Sequence, residues 1–91
     1  MTIDVCDLGD WGAASLLAEY DPCDDAIRIN ARVVARVRAA LGEGSAQRFI
    51  ACAVAHEAFH RARPGAREAE AHAYARARSG VDPSVFEAVL R

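Results

Sequence analysis

The sequence predicts an α+β domain in which a small antiparallel sheet packs on one central helix, with further helices around it. Three observations carry this. Residues 15–20 and 26–30 flank the turn-forming run Asp21-Pro22-Cys23-Asp24-Asp25, as the two arms of a β-hairpin would. From residue 31 onward the apolar residues recur at helical spacing, interrupted by Gly42, Gly44, Pro64-Gly65 and Gly80. The stretch Phe49-Ile50-Ala51-Cys52-Ala53-Val54-Ala55 is almost wholly apolar, which marks the helix containing it as the buried one.

Taken in order, Thr2 to Cys6 alternates polar with β-branched side chains and reads as a first strand, broken by Gly9 and Gly12. In the second hairpin arm Ile27 and Ile29 point to one face and Arg28 to the other. Asn30 is a good helix N-cap, and Val33, Val34, Val37 and Leu41 make an apolar stripe opposite Arg32, Arg36 and Arg38. Gly42 and Gly44 end that helix. Ser45 is expected to cap the next, over residues 46–61, before Pro64-Gly65 forces a turn. An Ala-rich helix follows over residues 66–78, stopped by Ser79-Gly80. Asp82 or Ser84 then caps a last helix that ends at Leu90 and docks Val85, Phe86, Val89 and Leu90 on the core. No repeat or linker divides residues 1–91, so one domain is expected.

Composition excludes several classes. A net charge of -2 with 26% charged residues gives no electrostatic case for nucleic acid or an anionic membrane. All 11 basic residues are Arg, a coding bias on an Ala-rich background that favours helix. Cys6, Cys23 and Cys52 are odd in number and lack a C-x-x-C pair, which argues against a secreted disulfide scaffold. With no signal-like segment at the start and no apolar run near 18 residues, a cytoplasmic protein is expected.

One motif carries chemistry. His56-Glu57-Ala58-Phe59-His60 reads H-E-x-x-H, and on a helix its two imidazoles leave one face roughly 6 Å apart along the axis. Two neutral imidazoles suit zinc, bound at about 2.0 Å, with positions left over for a water that the ion acidifies. Glu57, turned about 100° from His56, is placed to take that water's proton. These parts imply metal-assisted hydrolysis of a peptide bond. A catalytic zinc needs a third protein ligand. The turn at Pro64-Gly65 folds the next helix back, bringing Glu68 opposite His60, with His72 one turn further on the same face. Glu70 points roughly 160° away from Glu68. Ala69, Ala71, Ala73 and Ala75 are expected to let the two helices approach closely. Cys52, four residues before His56 on the same helix, could face the metal but reads rather as a small buried thiol; a purely structural site would be closed by a fourth ligand, for which Cys52 or His72 is available.

The motif together with Glu68-Ala69-Glu70-Ala71-His72-Ala73-Tyr74-Ala75 resembles the gluzincin peptidases. The second segment is similar to E-x-E-A-D-x-x-A of HtpX-type enzymes and E-x-E-A-N-x-F-A of ImmA/IrrE-type peptidases. The hairpin and Ile27-Arg28-Ile29-Asn30 are similar to the strand before the active-site helix of the latter. The resemblance implies a minimal zincin-like fold, zinc held by His56, His60 and Glu68, and Glu57 as general base on a protein or peptide substrate. Two departures stand out: His72 occupies the family's Asp or Asn position, and the spacing from His60 to Glu68 is short. A three-histidine site with His72 as the third ligand therefore stays open. Against the pattern of those families a sizeable C-terminal subdomain is lacking, so the cleft wall is expected to be missing or supplied by a partner protein. Tyr20 and Tyr74 are the available phenols. The alternative is a non-catalytic, zinc-stabilised interaction or regulatory module.

Overall fold

The computed structural model describes residues 1–9, 17–82 and 84–90, so the expectations for Gly12, Ser15 and Leu16 and for the side chain of Leu90 lie outside the described residues. The chain runs β1 (Thr2–Cys6), β2 (Ala18–Asp21), β3 (Ala26–Asn30), α1 (Ala31–Leu41), α2 (Glu43–Ala62), α3 (Glu68–Ser79) and α4 (Ser84–Leu90). The class is α+β, as predicted.

The sheet is mixed rather than antiparallel. Its order is β1-β3-β2, with β2 antiparallel to β3 in the expected hairpin and β1 parallel to β3. Side-chain alternation is the same in both ladder types, so the pattern of Thr2 to Cys6 could identify a strand but not its direction. Ile3 stands beside Ile27 and Val5 beside Ile29, while Asp4 stands beside Arg28 on the other face. Ile27 and Ile29 are fully buried, yet Ile3 and Val5 remain about half exposed at the outer edge.

Asn30 joins three segments. It ends β3 and caps α1, its Oδ1 accepting from the Arg32 amide at 3.1 Å and the Leu8 amide at 3.3 Å. Its Nδ2 donates to the Gly9 carbonyl at 2.9 Å. The side chain is fully buried, so these bonds replace its lost water.

Helix α1 buries Val33, Val34 and Val37. Leu41, expected on that stripe, is exposed, because the last turn of α1 projects beyond the core. Gly42 alone connects α1 to α2. At φ +94° it donates to the Arg38 carbonyl at 2.9 Å, and its own carbonyl accepts from Ala46 at 3.1 Å. That left-handed backbone suits glycine and lets α2 begin at Glu43. Ser45 therefore lies inside the first turn of α2 and is not its cap. Glu43 complements the positive helix end and pairs with Arg38 and Gln47.

The core sits between sheet and helices, where Phe49 of α2 meets Phe86 of α4 edge to face at 5.2 Å. Phe86 is buried as expected, whereas Val85 is half exposed, since neighbouring helical residues diverge by about 100°. Ala71 and Ala75 are fully buried along α3, but Ala69 and Ala73 face solvent. The close approach thus uses one stripe of alanines four residues apart. Among the described residues, no helix is long and apolar enough to cross a membrane.

Candidate metal centre

Helix α2 carries His56, Glu57 and His60 near its C-terminal end, and its last turn is tied to the sheet. Arg61 donates from Nε to Asp25 Oδ1 at 2.7 Å and from a terminal nitrogen to Oδ2 at 3.2 Å. Asp25 sits in the β2–β3 turn at φ +48°, a left-handed conformation that Asp tolerates, and also accepts from the Tyr20 hydroxyl at 2.8 Å. The Arg61 guanidinium, followed by that hydroxyl, holds the Asp25 carboxyl well below its ordinary value. The motif's far end is thereby fixed one residue beyond His60.

After the turn at Pro64-Gly65, α3 returns along α2 with Ala71 and Ala75 against it, and its first residue, Glu68, reaches the motif. Glu68 Oε1 lies 2.8 Å from His60 Nε2, and Oε2 lies 3.1 Å from His56 Nε2. His72 Nε2 is 3.9 Å from Oε2 of the same carboxylate. The His56 ring centre is 4.9 Å from that of His60 and 5.0 Å from that of His72. The donors of His56, Glu68 and His72 all lie within 4.8 Å of one another, and His60 joins this set through the other oxygen of Glu68. The structure thus brings His56, Glu68 and His72 into one donor set and places His60 against the same carboxylate.

The donor set fits a metal ion. Ligands on one tetrahedral zinc stand roughly 3.3 Å apart when each bond is about 2.0 Å, and the contacts of Glu68 with His60, His56 and His72, at 2.8, 3.1 and 3.9 Å, bracket that spacing. His60 Nε2 is buried and has no hydrogen-bond partner, despite lying 2.8 Å from a carboxylate oxygen. Nitrogen and oxygen are therefore close without being aligned on each other, an arrangement suited to a shared third atom. Imidazole and carboxylate are also the donor types zinc accepts.

Glu57 stands apart from the donor set. Its Oε1 is 4.0 Å from His56 Nε2, and its side chain is only 13% exposed. Burial, reinforced by the charges of Glu68 and Glu19 and opposed by His60, raises its carboxyl above the ordinary value. Burial lowers His56, opposed by the Glu68 charge, favouring the neutral imidazole that a metal requires. Both groups line a cleft of about 290 Å³ that also includes Leu17, Ala18, Phe49, Cys52 and Phe86.

The remaining candidates stay outside the donor set. Cys52 is buried in the cleft wall, and burial raises its thiol, which disfavours the ligating thiolate. Glu70 turns back to accept from the Arg67 amide at 3.4 Å. Tyr20 is bonded to Asp25, and Tyr74 packs on Phe59 at 5.0 Å between ring centres. Sequence reasoning missed the Asp25–Arg61 link and the Leu17–Ala18 wall. Arg61 directly after the motif was a local signal, but its partner 36 residues earlier had none. The chain matches none of the protein-family models, curated proteins or solved structures with which it was compared.

Proposed function

We propose that this chain is a zinc-dependent peptidase, with His56, His60 and Glu68 holding the ion and Glu57 acting as general base. The supporting observation is that one carboxylate, Glu68, lies within 3.1 Å of both motif imidazoles while Glu57 stays outside that set on the same cleft. Bound zinc would supply Lewis acidity, polarising a carbonyl oxygen and acidifying water. The buried position of Glu57 makes its carboxylate a stronger base than an exposed one, suited to taking the proton of the attacking water and passing it to the leaving amine. Among the described residues β2 pairs only with β3, and the start of β2 lines the cleft. That edge suits an extended peptide, added as a further strand beside the donors. The three cysteines, all free, suit the reducing conditions of a cytoplasmic setting.

A second reading is a non-catalytic, metal-stabilised interaction or regulatory module. The approach of His72 to the donor set favours it, because a fourth protein ligand closes a zinc site. Glu57→Gln separates the two. The variant should keep its zinc and lose roughly 100-fold or more in cleavage of a fluorogenic peptide library. Loss of zinc, or an unchanged rate, would contradict the assigned role.

A further inference from the structure

We infer that His72 is a fourth, exchangeable protein ligand of the metal, closing the resting site and leaving its position when substrate enters. The inference rests on the metal-binding reading above and extends it to a residue that the H-E-x-x-H motif does not include. The two helices present matching donor pairs, His56 and His60 on α2 and Glu68 and His72 on α3, each four residues apart. Two i, i+4 pairs on packed helices face each other, with His56, Glu68 and His72 in one donor set and His60 joined to it through Glu68. His72 Nε2 lies 3.9 Å from Glu68 Oε2, and its ring centre is 5.0 Å from that of His56. The donors of His56, Glu68 and His72 form a set within 4.8 Å, so a metal held by His56 and Glu68 would lie within reach of His72.

Burial and spacing assign the exchangeable role. The side chains of His56 and His60 are 16% and 20% exposed, against 46% for His72. Glu68 is more exposed still, but it touches both motif histidines. Among the three histidines His72 is the most exposed and lies farthest from the shared carboxylate, at 3.9 Å against 2.8 and 3.1 Å. Four protein donors fill a tetrahedral zinc, so access by a substrate carbonyl requires a ligand to leave or a fifth position to open. The loosest ligand leaves first.

The test uses cobalt(II) as a spectroscopic substitute for zinc and azide as a small competing ligand. The metal-free protein is loaded with cobalt, its visible spectrum is recorded, and azide is titrated in. His72→Ala should weaken cobalt binding by about tenfold, shift the visible bands, and bind azide at least tenfold more tightly, as the vacated position becomes available. Circular dichroism should show the same helix content, since the replaced side chain is at the surface. An unchanged spectrum and azide affinity in the variant would overturn the inference while leaving the three-ligand reading intact. Loss of all cobalt binding would make His72 a principal ligand and overturn its exchangeable role. Failure of the wild-type chain to bind cobalt or zinc would remove the metal-binding reading itself.

Discussion

Asn30→Ala should be among the most destabilising single substitutions in this chain, because one buried side chain serves three segments. Oδ1 caps α1 through the Arg32 amide and holds the Leu8 amide, and Nδ2 holds the Gly9 carbonyl. Loss of the cap costs about 1 kcal/mol. Each partly buried group left without its partner adds roughly 1 kcal/mol, the lower end for such groups. The sum is about 2–4 kcal/mol, against a total stability on the order of 5–13 kcal/mol for a domain this size. In urea the midpoint should fall by roughly 2 M with an unchanged slope. Asn30→Ser separates the parts, since its hydroxyl can cap the helix but lacks the amide that binds Gly9. It should recover about 1 kcal/mol and no more. A midpoint for Asn30→Ala close to wild type, or full recovery with Ser, would refute the account of Asn30 as a three-way junction.

Other outcomes follow from the site and its supports. Zinc at about 100 times its dissociation constant should stabilise the fold by roughly 2.7 kcal/mol, raising Tm by on the order of 10–20 °C, and chelator should reverse the gain. Glu68→Ala should weaken zinc by more than the roughly 10- to 100-fold typical of an outer partner, measured by competition titration. Asp25→Asn should release the Arg61 guanidinium and speed amide hydrogen exchange in the last turn of α2 while leaving α1 unchanged. In the metal-free protein, His56 is lowered from 6.5, so its stabilising contribution is complete above about pH 6.5 and is lost as the pH falls through the lowered value. Glu57 is raised from 4.5 and acts with the opposite sign, its contribution being complete below about pH 4.5 and lost as the pH rises through the raised value. Denaturation curves between pH 4.5 and 6.5 should therefore show steeper acid sensitivity in Glu57→Gln than in wild type.

Much of the fold was legible because local chemistry decided it. Asn30 before an apolar stripe marked the start of α1, and the acidic Pro-containing turn marked the β2–β3 hairpin. The direction of β1 was not legible, since five alternating residues suit either ladder and the choice depends on contacts made 24 residues away. The start of α2 was misplaced because Gly42, at positive φ, ends one helix and opens the next without the spacer that a Ser cap implies. At the site, helical spacing placed His56 beside His60 and Glu68 beside His72. The turn at Pro64-Gly65 indicated that the two pairs would meet. The short spacing from His60 to Glu68 brings the first residue of α3 directly onto the motif. His72 was harder to place, because its approach depends on how closely Ala71 and Ala75 seat against α2.

The parallel pairing of β1 also bears on how the chain behaves at high concentration. Among the described residues this strand has one neighbour, so its other edge can template a second molecule, and half-exposed Ile3 and Val5 would reward that association. Asp4 sits between them on the opposite face, beside Arg28. A symmetric pairing centred on Asp4 aligns Ile3 with Val5 of the other copy but sets two Asp4 carboxylates against each other. Two like charges set face to face would oppose such self-pairing. Replacing Asp4 with threonine would leave the monomer's core untouched and lower the concentration at which the protein stays dispersed.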